Sequence, residues 1–186
     1  MGKTFTEIDA KLKKWIGQQH LFFVATAPLA GDGLVNCSPK GLDCLRVIDP
    51  HTVAYLELTG SGVETISHLR ENGRMVMLFC SFDKAPRIVR LHGTGRAHLV
   101  GTPEFEALLP NFKAMPGMRS IIALDVKRIS DSCGFGVPRY AFEGDRTTLT
   151  DYWEQKGEAE TCAYQRKKNA TSLNGLPGIS QTISTE

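Results

Sequence analysis

With 186 residues, 41% hydrophobic and 23% charged, the chain can bury one sizeable core and shows no repeat that would divide it. A formal charge of +2 with no long basic run excludes a nucleic-acid footprint, and no apolar run approaches the length of a membrane span. Five scattered cysteines without a C-x-x-C pair argue against a structural zinc site and for a reducing compartment, so a cytoplasmic protein without a secretory leader is expected.

Ile8, Leu12, Trp15 and Ile16 fall at helical spacing, which predicts a short amphipathic helix over residues 6–16, N-capped by Thr6 and stopped by Gly17. Lys11, Lys13 and Lys14 belong to its wet face. Residues 20–27 (HLFFVATA) are aromatic and branched and run into Pro28, as a buried strand does. After the AGDG turn, residues 34–42 (LVNCSPKGL) predict its partner, with Pro39 at an edge or at the strand's end because it cannot donate to a ladder. Residues 43–51 carry no clear signal.

Residues 53–58 read as a third strand. Val63, Ile66 and Leu69 then mark a helix that Asn72-Gly73 closes, and residues 74–82 form a fourth strand. The fifth alternates most cleanly. Val89, Leu91, Gly93, Gly95, Ala97 and Leu99 share one face, and Arg90, His92, Thr94, Arg96 and His98 the other. His92 and His98 fit a solvated or interfacial row better than a general acid. Thr102-Pro103 opens a helix through Phe112, and residues 120–129 are a further strand.

Only one connection is long enough for a parallel crossover, so an antiparallel barrel with helices outside is expected. The expected organisation is a single domain: the barrel over about 5–145, a C-terminal helix over about 150–168 and a polar surface tail over 169–186. The glycine-flanked Cys133 segment reads as a bulge or loop with a buried thiol in preference to a stretch laid over a ligand with Phe135 or Tyr140 stacked on its ring, and Trp15 and Trp153 read as packing residues.

The most informative stretch is LTGSGVETISHLRENG, where Gly-Ser-Gly joins a strand to a helix. Such a turn offers backbone N–H groups and the positive end of a helix dipole to an anion. A dinucleotide fingerprint fails because Thr65 stands where a third glycine belongs. Two readings stay open: a mononucleotide phosphate seat built from Thr59, Gly60, Ser61, Gly62 and Thr65, with Lys40 or Arg90 as the cation, and an ordinary helix N-cap.

The succession of the NCSPKG strand, the GSG turn, the helix ending in ENG and the IVRLHGTGRAH strand resembles the pyridoxamine 5'-phosphate oxidase-like family of FMN-binding split barrels, over residues 5–129. That resemblance implies a mainly β fold with flanking helices, a six-stranded antiparallel split β-barrel that pairs as a homodimer with FMN at the subunit interface. It places Asn36, Cys37, Ser38, Pro39 and Lys40 along the flavin edge and Thr59, Gly60, Ser61, Gly62 and Thr65 at the phosphate, with Arg90 as a further contact. It implies an oxidoreductase acting on a small molecule, with a non-catalytic flavin sensor or a haem- or deazaflavin-binding relative as alternatives. Gly62-Val63 replaces the basic pair typical of the vitamin oxidases, and ISDSCGFGVPRYAFEG is unlike their ending. A flavin-binding branch other than those oxidases is therefore implied, with no catalytic residue assigned.

Overall fold

The computed structural model describes residues 2–179. Its strands are β1 (Thr4–Phe5), β2 (Phe22–Thr26), β3 (Asn36–Lys40), β4 (Leu45–Asp49), β5 (Thr52–Leu58), β6 (Arg74–Cys80), β7 (Ile88–Leu99) and β8 (Met118–Ser132). All pair antiparallel in the order β3-β2-β6-β7-β8-β5-β4, with β1 added beside β8. The fold is the expected antiparallel split barrel with flanking helices, built from eight strands rather than six.

The two additional strands are β1 and β4. β4 lies in the segment without a sequence signal, since all but its last residue are half-buried and no alternation distinguishes its faces. β1 is two residues long and exists through its pairing with Ser130 and Ile129. It displaces the expected helix start: α1 spans Ala10–Ile16, and the Asp9 side chain, not Thr6, accepts from Leu12 N–H as the N-cap.

The alternation of β7 is reproduced, with Val89 and Leu91 buried and His92 and Arg96 exposed. Its pairing with β8 shifts register at His92/Gly93, where a Cβ on Gly93 would collide with the Asp125 carbonyl; only glycine lets the two backbones approach there. Phe22, Val24, Tyr55, Met77, Phe79 and Ile122 are among the side chains that fill the barrel.

Helix α2 (Glu64–Glu71) follows β5 and packs on β2, β6 and β7. Helix α3 (Pro103–Leu108) is capped by Thr102 as expected. It tightens into a 3-10 turn over Leu109–Asn111, because Pro110 has no N–H to continue the helical ladder. Helix α4 (Thr148–Lys168) is broken at Gly157, whose φ is 73°. No helix among the described residues is long and apolar enough to cross a membrane.

The expected surface tail is not one over residues 169–179. Asn169 is 0% and Ile179 4% exposed, because this segment folds back on the turn between β5 and α2. The rest of the expected tail, residues 180–186, lies outside the described residues. The Cys133 thiol is exposed rather than buried, on a loop where Phe135 also faces solvent.

Candidate functional site

Strand geometry divides the residues that the sequence placed together on β3. Successive side chains alternate faces, so Asn36, Ser38 and Lys40 turn inward while Cys37 and Pro39 are exposed on the other side. Asn36 and Ser38 share one hydrogen-bonded group, while Lys40 pairs with Glu57. Asn36 Nδ2 donates to Thr26 Oγ1 at 3.2 Å and to Thr65 Oγ1 at 3.1 Å, and Ser38 Oγ donates to Asn36 Oδ1 at 2.9 Å. Thr65 of α2 is thereby tied to β3, whereas the sequence reading groups it with the Gly-Ser-Gly turn at the phosphate.

Arg90 is not brought there. It lies opposite Leu78, which lies opposite Phe23, which lies opposite Pro39, and directly paired residues share a face. Arg90 is therefore on the Cys37–Pro39 side of the sheet, where its guanidinium donates to Ser132 Oγ at 3.1 Å.

Lys40 reaches Glu57 Oε1 at 3.3 Å. Glu57 is 2% exposed and its other oxygen accepts from Arg119 Nε at 3.2 Å and Ser120 Oγ at 3.0 Å. Burial raises the pKa of this carboxyl, but Arg119 and Lys40 outweigh it and hold the group at about 2. A fixed carboxylate thus sits between two cations directly behind the turn.

Thr59 differs from its expected role. It is fully buried, its N–H and its hydroxyl both donate to the Gly117 carbonyl at 2.7 Å, and its oxygen accepts from Gln165 Nε2 at 2.8 Å. Its one hydroxyl proton is committed, so it anchors the turn to β8 and α4 and has no proton left for a phosphate.

Gly60, Ser61 and Gly62 lie on the accessible side. Ser61 is exposed, and the position of a Cβ on Gly60 has nothing within 4 Å. The N-cap of α2 is Val63, with no side-chain cap, so the ordinary N-cap reading does not describe this turn. The N–H groups of residues 60–63 donate to no acceptor among the described residues. One opposing charge stands near: Glu64 Oε1 accepts from Leu173 N–H at 3.1 Å while Oε2 lies where a side chain on Gly62 would sit.

Four participants escaped the sequence reading. Glu57, Arg119 and Asn169 come from β5, β8 and the C-terminal segment, and Arg119 Nη1 donates to Asn169 Oδ1 at 3.0 Å. His68 of α2 is fully buried, hydrogen-bonded through Nδ1 to Thr26 Oγ1 at 2.9 Å and through Nε2 to the Asn174 amide at 3.0 Å. Burial lowers its pKa and keeps the ring neutral. A local signal existed for Glu57 alone, as one acid in an otherwise apolar strand, TVAYLEL.

Comparison with known proteins bears on the family and the fold. The pyridoxamine 5'-phosphate oxidase family profile matches residues 8–133. The pyridoxamine 5'-phosphate oxidase family protein ustO of Aspergillus flavus is 39% identical over 194 residues, covering 94% of this chain and 77% of its own length. Among solved structures, HupZ of Group A Streptococcus superposes with a TM-score of 0.51 at 24% identity, over 73% of this chain and 99% of its own. A Lactobacillus delbrueckii protein superposes with a TM-score of 0.54 at 19% identity, over 68% of this chain and 98% of its own. These two likenesses speak to the fold.

Proposed function

The chain belongs to the pyridoxamine 5'-phosphate oxidase family, and from that premise we propose that it binds FMN and serves as an oxidoreductase for a small molecule. The observation that carries the reading is the uncapped turn between β5 and α2, whose amides at residues 60–63 have no acceptor among the described residues. Four amides, the exposed Ser61 hydroxyl and the positive end of α2 are a donor set suited to a phosphate monoester.

Asn36, Ser38, Lys40 and Thr65 form the adjoining polar edge: Lys40 and Thr65 suit the carbonyl groups of a flavin as donors, and Ser38, whose proton goes to Asn36, suits its imide N–H as an acceptor. A bound flavin supplies hydride acceptance and return at its ring nitrogen. Lys40, held by Glu57, places a positive charge beside that edge, where it would favour negative charge on a bound ring without transferring a proton. Pairing of two chains through the Cys37–Pro39 face belongs to the same proposal. It is supported by Phe23 and Leu78, which stay partly exposed on that face.

The test is the visible absorbance spectrum of the purified protein, with identification of any ligand released on denaturation. Two flavin bands and released FMN are the expected result. A colourless protein that takes up no added FMN overturns the reading, and a Soret band on haem addition would favour a haem-binding relative.

The carboxylate of Glu64 opposes an anion bound at the turn. Glu64→Gln keeps the acceptor for Leu173 N–H and removes the charge, so FMN affinity is expected to rise about three- to tenfold, the range of one screened like-charge contact. Fluorescence titration at low and high salt checks this, with the gain shrinking as salt rises. An unchanged affinity would place the phosphate elsewhere.

A further inference from the structure

Four successive carbonyls of the turn are held by side chains. Thr59 O accepts from Trp153 Nε1 at 2.8 Å, Gly60 O and Ser61 O accept from Asn169 Nδ2 at 3.0 and 3.4 Å, and Gly62 O accepts from Arg119 Nη1 at 2.8 Å. All three side chains are deeply buried: Asn169 is 0%, Trp153 4% and Arg119 6% exposed. Asn169 is itself fixed, since its Oδ1 accepts from Arg119 and its backbone carbonyl accepts from Ile179 N–H at 2.7 Å.

No peptide bond among the described residues is cis. In a trans peptide the carbonyl of one residue and the N–H of the next point in opposite directions. Drawing the carbonyls of residues 59–62 toward α4, residue 169 and β8 therefore turns the N–H groups of residues 60–63 the other way. Without those donors the peptide planes of a Gly-Ser-Gly turn are free to rotate, because glycine restricts neither direction.

We propose that the C-terminal arm, α4 with residues 169–179, is the positioning element of the phosphate seat: Trp153 and Asn169, together with Arg119, hold the turn's carbonyls so that its amides face a phosphate monoester. This rests on the flavin reading above. The arm lies beyond residues 8–133 matched by the family profile. Asn169 and Trp153 touch no ligand in this arrangement. Their role is to fix in advance a backbone that does, which removes an ordering cost from binding.

FMN and riboflavin share the ring and ribityl chain and differ by the phosphate, so the ratio of their affinities isolates the seat. Both are titrated by fluorescence against the 186-residue wild-type chain, Asn169→Ala and Trp153→Phe, with a thermal melt of each. Wild type is expected to prefer FMN. Asn169→Ala is expected to lower that preference about tenfold, and Trp153→Phe, which deletes one N–H while keeping a ring, about threefold, with riboflavin affinity unchanged in both. Should Asn169→Ala fail to fold, the Trp153→Phe ratio decides alone. Equal losses for both ligands, or no change in the ratio, would overturn the proposal by making the arm merely structural. A wild type that binds FMN no better than riboflavin overturns it while leaving flavin binding intact. Binding of neither ligand removes the flavin reading as well.

Discussion

Glu57→Ala is expected to destabilise the protein by about 3–5 kcal/mol, the usual cost of removing one partner from a buried ion pair. Two cations lose their counter-charge, but unequally. The Lys40 side chain is 21% exposed and can swing toward water, whereas that of Arg119 is 5% exposed and is held by Gly62 and Asn169. The penalty therefore falls mainly on Arg119, which is left charged in a region that cannot hydrate it. In a chain of this size the melting temperature should fall by roughly 10 °C. A urea denaturation midpoint equal to that of wild type would show that water reaches Arg119 and that the cluster is not buried in solution.

The same carboxylate predicts the acid limb of stability. Its folded-state pKa is depressed from 4.5 to about 2, so its contribution is complete above the ordinary carboxylate value and is lost as pH falls toward 2. Asp43, Asp49 and Asp131 are also lowered, by hydrogen bonds and neighbouring cations, and act in the same direction from more open positions. Stability measured between pH 5 and 2 should therefore fall more steeply in wild type than in Glu57→Gln, whose side chain cannot ionise.

What the sequence made legible follows the range of the interaction behind each feature. β7 could be read because its alternation is imposed by one buried and one wet face, and Thr102 and Gly17 because capping is settled within four residues. β4 and β1 could not, since a half-buried edge strand shows no period and a two-residue strand exists through a partner about 125 positions away. The candidate site divides along the same line. The Gly-Ser-Gly turn was visible as a motif, but Asn36 to Lys40 was read as one continuous lining, although a strand can offer only alternate residues to one side. Thr59 resembled a phosphate ligand because a motif does not reveal which side of a turn its hydroxyl occupies. Arg119 and Asn169 stand 62 residues beyond Glu57 and 50 beyond Arg119, so no local pattern could have joined them.

Gly117→Ala carries the second large expected effect and ties the arm to the barrel. The residue has φ +78°, a conformation that costs an L side chain about 1 kcal/mol or more. An added Cβ would lie 2.3 Å from Trp153 Cδ1 and 2.5 Å from Cγ, so the indole itself must move, not a flexible tip. Overpacking of this kind costs about 1–3 kcal/mol, which brings the expected loss to about 2–4 kcal/mol. The consequence reaches the turn by two routes: Gly117 O accepts both Thr59 donors, and a displaced Trp153 gives up Thr59 O. Gly117→Ala should thus lower stability and the preference for FMN over riboflavin together. A double-mutant cycle with Trp153→Ala separates the causes, because removing the indole relieves the overlap and leaves the backbone strain. Coupling of about 1 kcal/mol or more is expected from the contact. Strict additivity would mean that Trp153 does not sit against Gly117, and the path from the barrel to the arm would have to run elsewhere.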